Sequence, residues 1–104
     1  MIVKFEKDYL LELYKTGKCD KKHSFQPDII SRYRRRIEYL KIADRPEDLF
    51  LLPSLHYEAL KGNKVGISSI RVNDRYRLEF TISKHKTETI VYICNILESS
   101  NHYK

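Results

Sequence analysis

A chain of 104 residues with 41% hydrophobic residues and a net charge of +6 is long enough for one domain around one modest core. The composition excludes a disordered chain, and the excess of lysine and arginine favours an anionic partner: nucleic acid, an acidic protein or a membrane surface. The first fifteen residues carry charge throughout, no stretch has the apolar length of a transmembrane helix, and two cysteines are too few for a disulfide framework. These features point to the cytoplasm, to reduced thiols and to no membrane span.

Residues Ile2 to Phe5 are short and β-prone, and predict an opening strand. Tyr9, Leu10, Leu13 and Tyr14 then fall at helical spacing and Gly17 follows as a stop, predicting a helix over about residues 6 to 16. A polar, basic connection leads to Pro27, which suits the first turn of a second helix. There Ile29, Ile30, Tyr33, Ile37 and Leu40 make one apolar stripe, while Arg32, Arg35 and Arg36 point away from it. A third short helical piece is expected between Pro46 and Pro53.

From Val65 the apolar period changes to two. Ile70 and Val72 share one face of a strand, and Tyr76, Leu78, Phe80 and Ile82 share one face of the next. Residues 87 to 96 are apolar on both faces, as in an interior strand, and a polar tail is expected after them. The order predicts an α+β domain over residues 1 to 104, with two or three helices packed on a small antiparallel sheet.

The hairpin around Asn73 decides which side chains meet. A two-residue turn at Asn73 and Asp74 would oppose Val72 to Arg75 and Ile70 to Arg77, mixing apolar and charged residues on each face. A three-residue connection, Asn73 to Arg75, pairs Val72 with Tyr76 and Ile70 with Leu78 and keeps the apolar face whole. That register sets Arg71 opposite Arg77, an arrangement folding alone disfavours. Either the two arginines splay into solvent, or they hold a phosphate between them, with Arg75 extending the patch beside the turn.

Other residues offer chemistry. Lys61 and Lys64 sit on a glycine-bounded loop, residues 60 to 66, that lacks the full spacing of a nucleotide-binding loop but suits a phosphate contact. His102 is the residue type best suited to proton exchange near neutral pH, and Tyr103 follows it. Cys19 and His23 have no second pair at the spacing a structural zinc site requires, and Cys94 alternates with apolar neighbours as a core residue does. The arginines of the second helix fit either a solvated face or a contact with nucleic acid or an acidic partner.

The run Leu60 to Phe80, "LKGNKVGISSIRVNDRYRLEF", resembles the Leu-Lys-Gly…Ser-Ile-Arg-Val-Asn…Tyr-Arg-Leu-x-Phe signature of HigB-type toxins in the RelE/ParE superfamily. The resemblance implies a RelE-like fold and a type II toxin: a metal-independent, cofactor-free endoribonuclease that cuts mRNA on the ribosome. It also implies inhibition by a cognate HigA-like antitoxin, expected to carry a helix-turn-helix. By the same resemblance Arg77 stabilises the phosphorane and Arg71 positions the phosphate. Lys61 is a further cation or proton participant, and His102 and Tyr103 serve proton transfer and base stacking. Arg75, Lys64 and His56 are candidate RNA contacts. Three features depart from the family pattern: His56 lies five residues before Lys61 rather than three, the terminal order is His-Tyr-Lys, and Ile67 replaces an aromatic. The alternatives are a ParE-like gyrase inhibitor on the same fold, or a non-catalytic basic module that binds nucleic acid or protein.

Overall fold

The computed structural model describes residues 1–86 and 89–100. The chain forms β1 (Ile2–Phe5), α1 (Asp8–Thr16) and α2 (Pro27–Ile42), followed by two 3-10 turns at Pro46–Leu51 and Pro53–Leu55. The strands β2 (Glu58–Ala59), β3 (Ser68–Arg71), β4 (Arg77–Lys86) and β5 (Ile90–Ser100) come next, with a further 3-10 turn, Gly62–Lys64, before β3. This is the α+β order expected from the periodicity. Among the described residues no helix is long and apolar enough to cross a membrane.

Among the described residues the sheet has five strands in the order β1-β5-β4-β3-β2. It is mixed rather than wholly antiparallel, because β1 runs parallel to β5, with Val3 opposite Cys94 and Phe5 opposite Ile96. A parallel neighbour needs a long crossover, and here the two helices and the other strands supply it. Three further expectations need adjustment. The first helix begins at Asp8, because Lys7 is still extended and takes the capping position. The third helical piece is two 3-10 turns; Pro53 lacks the N–H that would continue the first and opens the second instead. Residues 97 to 100, expected in the tail, belong to β5. Glu98, Ser99 and Ser100 stand opposite Glu79, Leu78 and Arg77, and Leu97 is the extra residue of a bulge facing the step from Glu79 to Phe80.

The core lies between the helices and one face of the sheet. Leu10, Leu13, Ile29, Tyr33, Ile37 and Leu40 from α1 and α2 meet Ile70, Val72, Leu78, Phe80, Cys94 and Ile96 from the strands. Tyr33 binds the two helices together: its buried hydroxyl donates to the Leu10 carbonyl at 2.7 Å, and burial raises its pKa. Arg34 leaves the α2 arginine group and caps the end of α1, its Nε donating to the Tyr14 carbonyl at 3.0 Å. The Met1 amino group donates to the carbonyls of Leu40 at 3.2 Å and Lys41 at 3.1 Å, at the negative end of α2.

The β3–β4 connection follows the three-residue reading. Ile70 stands opposite Leu78 and Arg71 opposite Arg77, and the Val72 N–H donates to the Tyr76 carbonyl at 2.9 Å. Asn73 shapes the turn: its Oδ1 accepts from the N–H groups of Arg75 (3.0 Å) and Tyr76 (2.8 Å). Removing this acceptor in Asn73→Ala is expected to lower stability by about 1 kcal/mol in urea unfolding. The thiols should also separate by reactivity. Both cysteines are free, but Cys94 is fully buried and desolvation raises its pKa to about 12. Titration of native protein with a thiol reagent at pH 8 should modify half-buried Cys19 and leave Cys94 until the chain unfolds.

Candidate phosphate-binding site on the sheet

Alternation along the strands sends the residues between the core side chains to the opposite face of the sheet. Leu78 and Phe80 point into the core, so Arg77 and Glu79 point away from it. Ile70 and Val72 point in, so Ser69 and Arg71 point out. The pairings Arg71–Arg77 and Ser69–Glu79 collect these four residues on one area of the face. Glu58 in β2 stands opposite Ser69 and adds its side chain to the edge of the same area.

Arg77 is held firmly. Its side chain is 12% exposed and its Nε donates to the Ser69 Oγ at 3.0 Å. One Nη2 donates to the His56 carbonyl at 2.5 Å and lies 3.4 Å from a Glu58 carboxylate oxygen. Arg71 turns the other way, toward the connection, where its Nη2 pairs with the Asp74 carboxylate. The two facing arginines therefore avoid each other by reaching in opposite directions. Behind Arg71, the Nε of Arg36 on α2 donates to the Arg71 carbonyl at 2.8 Å. Arg36 is partly buried; desolvation, and then the nearby charges of Arg32, Arg35 and Arg71, lower its pKa.

Lysine enters the site from the loop before β3. Gly62 and Gly66 have φ of 68° and 91°, in the left-handed region that favours glycine. These bends, with the Leu60 N–H donating to the Ile67 carbonyl at 2.8 Å, fold the loop back on itself. Lys64 then places its Nζ 2.7 Å from Glu79 Oε2. The Glu79 side chain is 4% exposed, and Glu79 is the one buried charged residue among those described.

Of the residues singled out in the sequence, the fold brings Arg71, Arg77 and Lys64 together. His56 joins them through its backbone: with φ 47° and ψ 48° it takes a left-handed conformation that turns its carbonyl to Arg77, while its side chain is exposed. Lys61 is exposed and makes no side-chain hydrogen bond or ion pair with any described residue. Arg75 is exposed beside the turn. His102 and Tyr103 lie outside the described residues. The sequence reading missed Glu79, Glu58, Ser69 and the Arg36 contact. Only Ser69 and Glu79 had a signal available there, as polar residues alternating with core residues in the hairpin.

Each cation of the site carries a carboxylate: Asp74 on Arg71, Glu58 on Arg77 and Glu79 on Lys64. Asp74 is 89% exposed and Glu58 53% exposed, so an arriving anion can displace both into water at little cost. Glu79 is buried and stays. Ser69 and Glu79 are buried in this area, while Arg71, at 34% side-chain exposure, and Lys64, at 38%, reach the surface. A groove of about 800 Å³ lies elsewhere, between α1 and α2, lined by Tyr14, Gly17, Ile30, Arg34, Arg35 and Glu38 among others, and none of Arg71, Arg77 or Lys64 borders it. Cys19 and His23 lie near Asp20, whose carboxylate is 3.1 Å from the His23 Nδ1, and the His23 ring stacks on Tyr9 with 3.7 Å between centroids. Among the described residues no group of three or more His, Cys, Asp or Glu is placed to share a metal ion.

The same fold occurs in solved structures of other proteins. The chain covers 96% of itself and 91% of a YafQ mutant from E. coli (TM-score 0.52, 13% identity), and 99% of itself and 100% of a YoeB/ParE toxin from Agrobacterium tumefaciens (TM-score 0.52, 15% identity). Both share its fold. A chain of the YoeB–YefM complex from Staphylococcus aureus matches over 99% of this chain and 98% of that one, with a TM-score of 0.54 and 25% identity. Toxin HigB-1 of Vibrio cholerae serotype O1 is 37% identical over 81 residues, 77% of this chain and 82% of that protein. The family model described as the RelE-like toxin HigB of type II toxin-antitoxin systems matches residues 3–94, a span that contains the whole β3–β4 hairpin and the lysine loop. This chain belongs to the HigB family of RelE-like toxins of type II toxin-antitoxin systems.

Proposed function

We propose that this toxin is an endoribonuclease that cuts mRNA on the translating ribosome without a metal ion. The observation that carries this reading is the placement of Arg71 opposite Arg77, with Lys64 held on Glu79, two residues along the strand from Arg77. Clustered cations suit a reaction in which negative charge grows on a phosphorus centre.

The chemistry is internal to the RNA. The ribose 2′-oxygen forms a bond to the adjacent phosphorus, and the bond from phosphorus to the 5′-oxygen of the next nucleotide breaks. A base takes the 2′-hydroxyl proton and an acid supplies one to the leaving 5′-oxygen. Arg77, preorganised by Ser69, His56 and Glu58, is assigned to the equatorial oxygens of the phosphorane. Arg71 positions the phosphate after exchanging Asp74 for it. Arg75 guides the strand beside the turn, and Lys61 and the His56 side chain, both exposed, are further RNA contacts. Proton transfer and base stacking are assigned to His102 and Tyr103. Ser100, the last described residue of β5, is the Cα partner of Arg77, and His102 follows it by two positions in the sequence.

A HigA-like antitoxin, expected to carry a helix-turn-helix, completes the system. Family membership supports such a partner, as does the likeness to a chain of the YoeB–YefM complex.

Arg77→Ala should lower mRNA cleavage by roughly 10²–10³-fold and abolish growth arrest while still binding antitoxin. Mapping RNA ends after brief induction of the wild type should show new cuts inside translated codons. DNA damage without such cuts would instead indicate a gyrase-directed toxin, and undiminished toxicity of Arg77→Ala would remove the arginine from the mechanism. Glu58→Gln should tighten binding of a 2′-O-methyl RNA by roughly 1.5–5-fold, as expected when an exposed carboxylate no longer competes for the guanidinium. Fluorescence anisotropy checks this, and weaker binding would contradict the displacement scheme.

A further inference from the structure

Glu79 is an unusual residue for the middle of this sheet. A carboxylate 4% exposed loses its hydration and persists as an anion only with a close cation and good hydrogen bonds. It sits at the one unspecified position of the Tyr-Arg-Leu-x-Phe run, two residues from Arg77 on the same face, about 7 Å along the strand. Across the ladder it faces Ser69, the residue that also accepts from Arg77. Its ion pair is with Lys64, which reaches it from a loop bent at two left-handed glycines.

Lys64 is the more exposed partner, at 38%. An ammonium has three donors, and the contact with Glu79 engages one of them. A lysine on a surface loop carries several freely rotating bonds and, left alone, samples a wide volume of solvent. The buried carboxylate removes that freedom and fixes the positive charge beside Glu79, two residues along the strand from Arg77. Asp74 and Glu58 can leave for water, but Glu79 has no water to leave for.

We propose that Lys64, rather than Lys61, is the site's third phosphate-binding cation, and that Glu79 is the positioning residue that holds it there. The proposal rests on the ribonuclease reading and names a further residue of that same site. With RNA bound, the Lys64 ammonium keeps its bond to Glu79 and directs a second N–H to a non-bridging oxygen of the phosphate held by Arg71 and Arg77. The contact strengthens as charge builds on that oxygen, so it acts on the rate at saturation more than on binding. Lys61, exposed and without a partner among the described residues, has no such preorganisation.

The test is single-turnover cleavage of a defined mRNA on purified ribosomes, with binding of a 2′-O-methyl RNA measured in parallel. Melting temperature and antitoxin binding report folding. Glu79→Gln removes a negative charge from a cationic site, so its RNA affinity should hold or rise. If it positions Lys64, its cleavage rate at saturating toxin should nevertheless fall by about 10–100-fold. Lys64→Gln should lose about 100-fold in the same rate, and Lys64→Arg, which keeps both charge and partner, should return to within about tenfold of wild type. Should Glu79→Gln fail to fold, the contrast between the two Lys64 variants decides. Equal rates for Glu79→Gln and wild type, or for Lys64→Gln and Lys64→Arg, overturn the role of the pair while leaving the ribonuclease reading intact. Wild-type protein that leaves the mRNA uncut overturns the ribonuclease reading itself and the catalytic role of the pair with it.

Discussion

The backbone bond between the Val72 N–H and the Tyr76 carbonyl closes the three-residue connection on which the site depends. It fixes the register of β3 against β4. A slip by one residue would send Leu78 and Phe80 to the opposite face and bring Arg77 and Glu79 into the core. Burial of Ile70, Val72, Leu78 and Phe80 contributes roughly 1.5–3 kcal/mol each, whereas the opposition of Arg71 and Arg77 costs a fraction of a kcal/mol to about 1 kcal/mol. The apolar side wins by a wide margin. It thereby forces the two arginines into opposition, and the residual repulsion is relieved by turning them toward Asp74 and Glu58. Folding energy is thus the agent that builds a cationic surface.

The site is consequently neutralised from within. Two of its three carboxylates are exposed and exchangeable, and one is buried and permanent. This division lets a basic surface exist without strong self-repulsion in the free protein and leaves two of its ion pairs where water can exchange them. The second helix contributes from behind: Arg36 fixes the Arg71 backbone, and its burial, then the nearby charges of Arg32, Arg35 and Arg71, lower its proton affinity. The arginine face of α2 is therefore neither a free solvated run nor a single contact, because Arg34 caps α1 while Arg36 braces the sheet.

Those parts of the structure that bury apolar groups at regular spacing were legible in the sequence. The stripe of α2, the hairpin register and the core placement of Cys94 all follow from it, and so does the meeting of Arg71 with Arg77. What escaped has a common cause. Glu58 and Ala59 form too short a strand to show a period. The Lys64–Glu79 pair joins residues fifteen apart through a bent loop, and no spacing rule announces it. His56 acts through its carbonyl, to which side-chain chemistry is blind. The last residues of β5 are polar because their neighbours Arg77 and Glu79 are polar, so they read as a tail.

The irregularity in β5 has a consequence for symmetry between the two faces. In an unbroken strand Ile96 and Glu98 would project to the same side, since positions two apart share parity. Leu97 is the one residue between Ile96, set against Phe80, and Glu98, set against Glu79, two partners that are themselves consecutive. The extra residue inverts parity at that point. Upstream of it the even-numbered positions 94 and 96 face the helices; downstream, positions 98 and 100 align with the outward residues of β4. A single inserted residue thus works as a half-period phase shift that lets one strand serve as core wall at Cys94 and Ile96 and as a border of the charged face at its end. Inserting or deleting one residue between 96 and 98 would reverse that assignment, whereas a change of two would keep it.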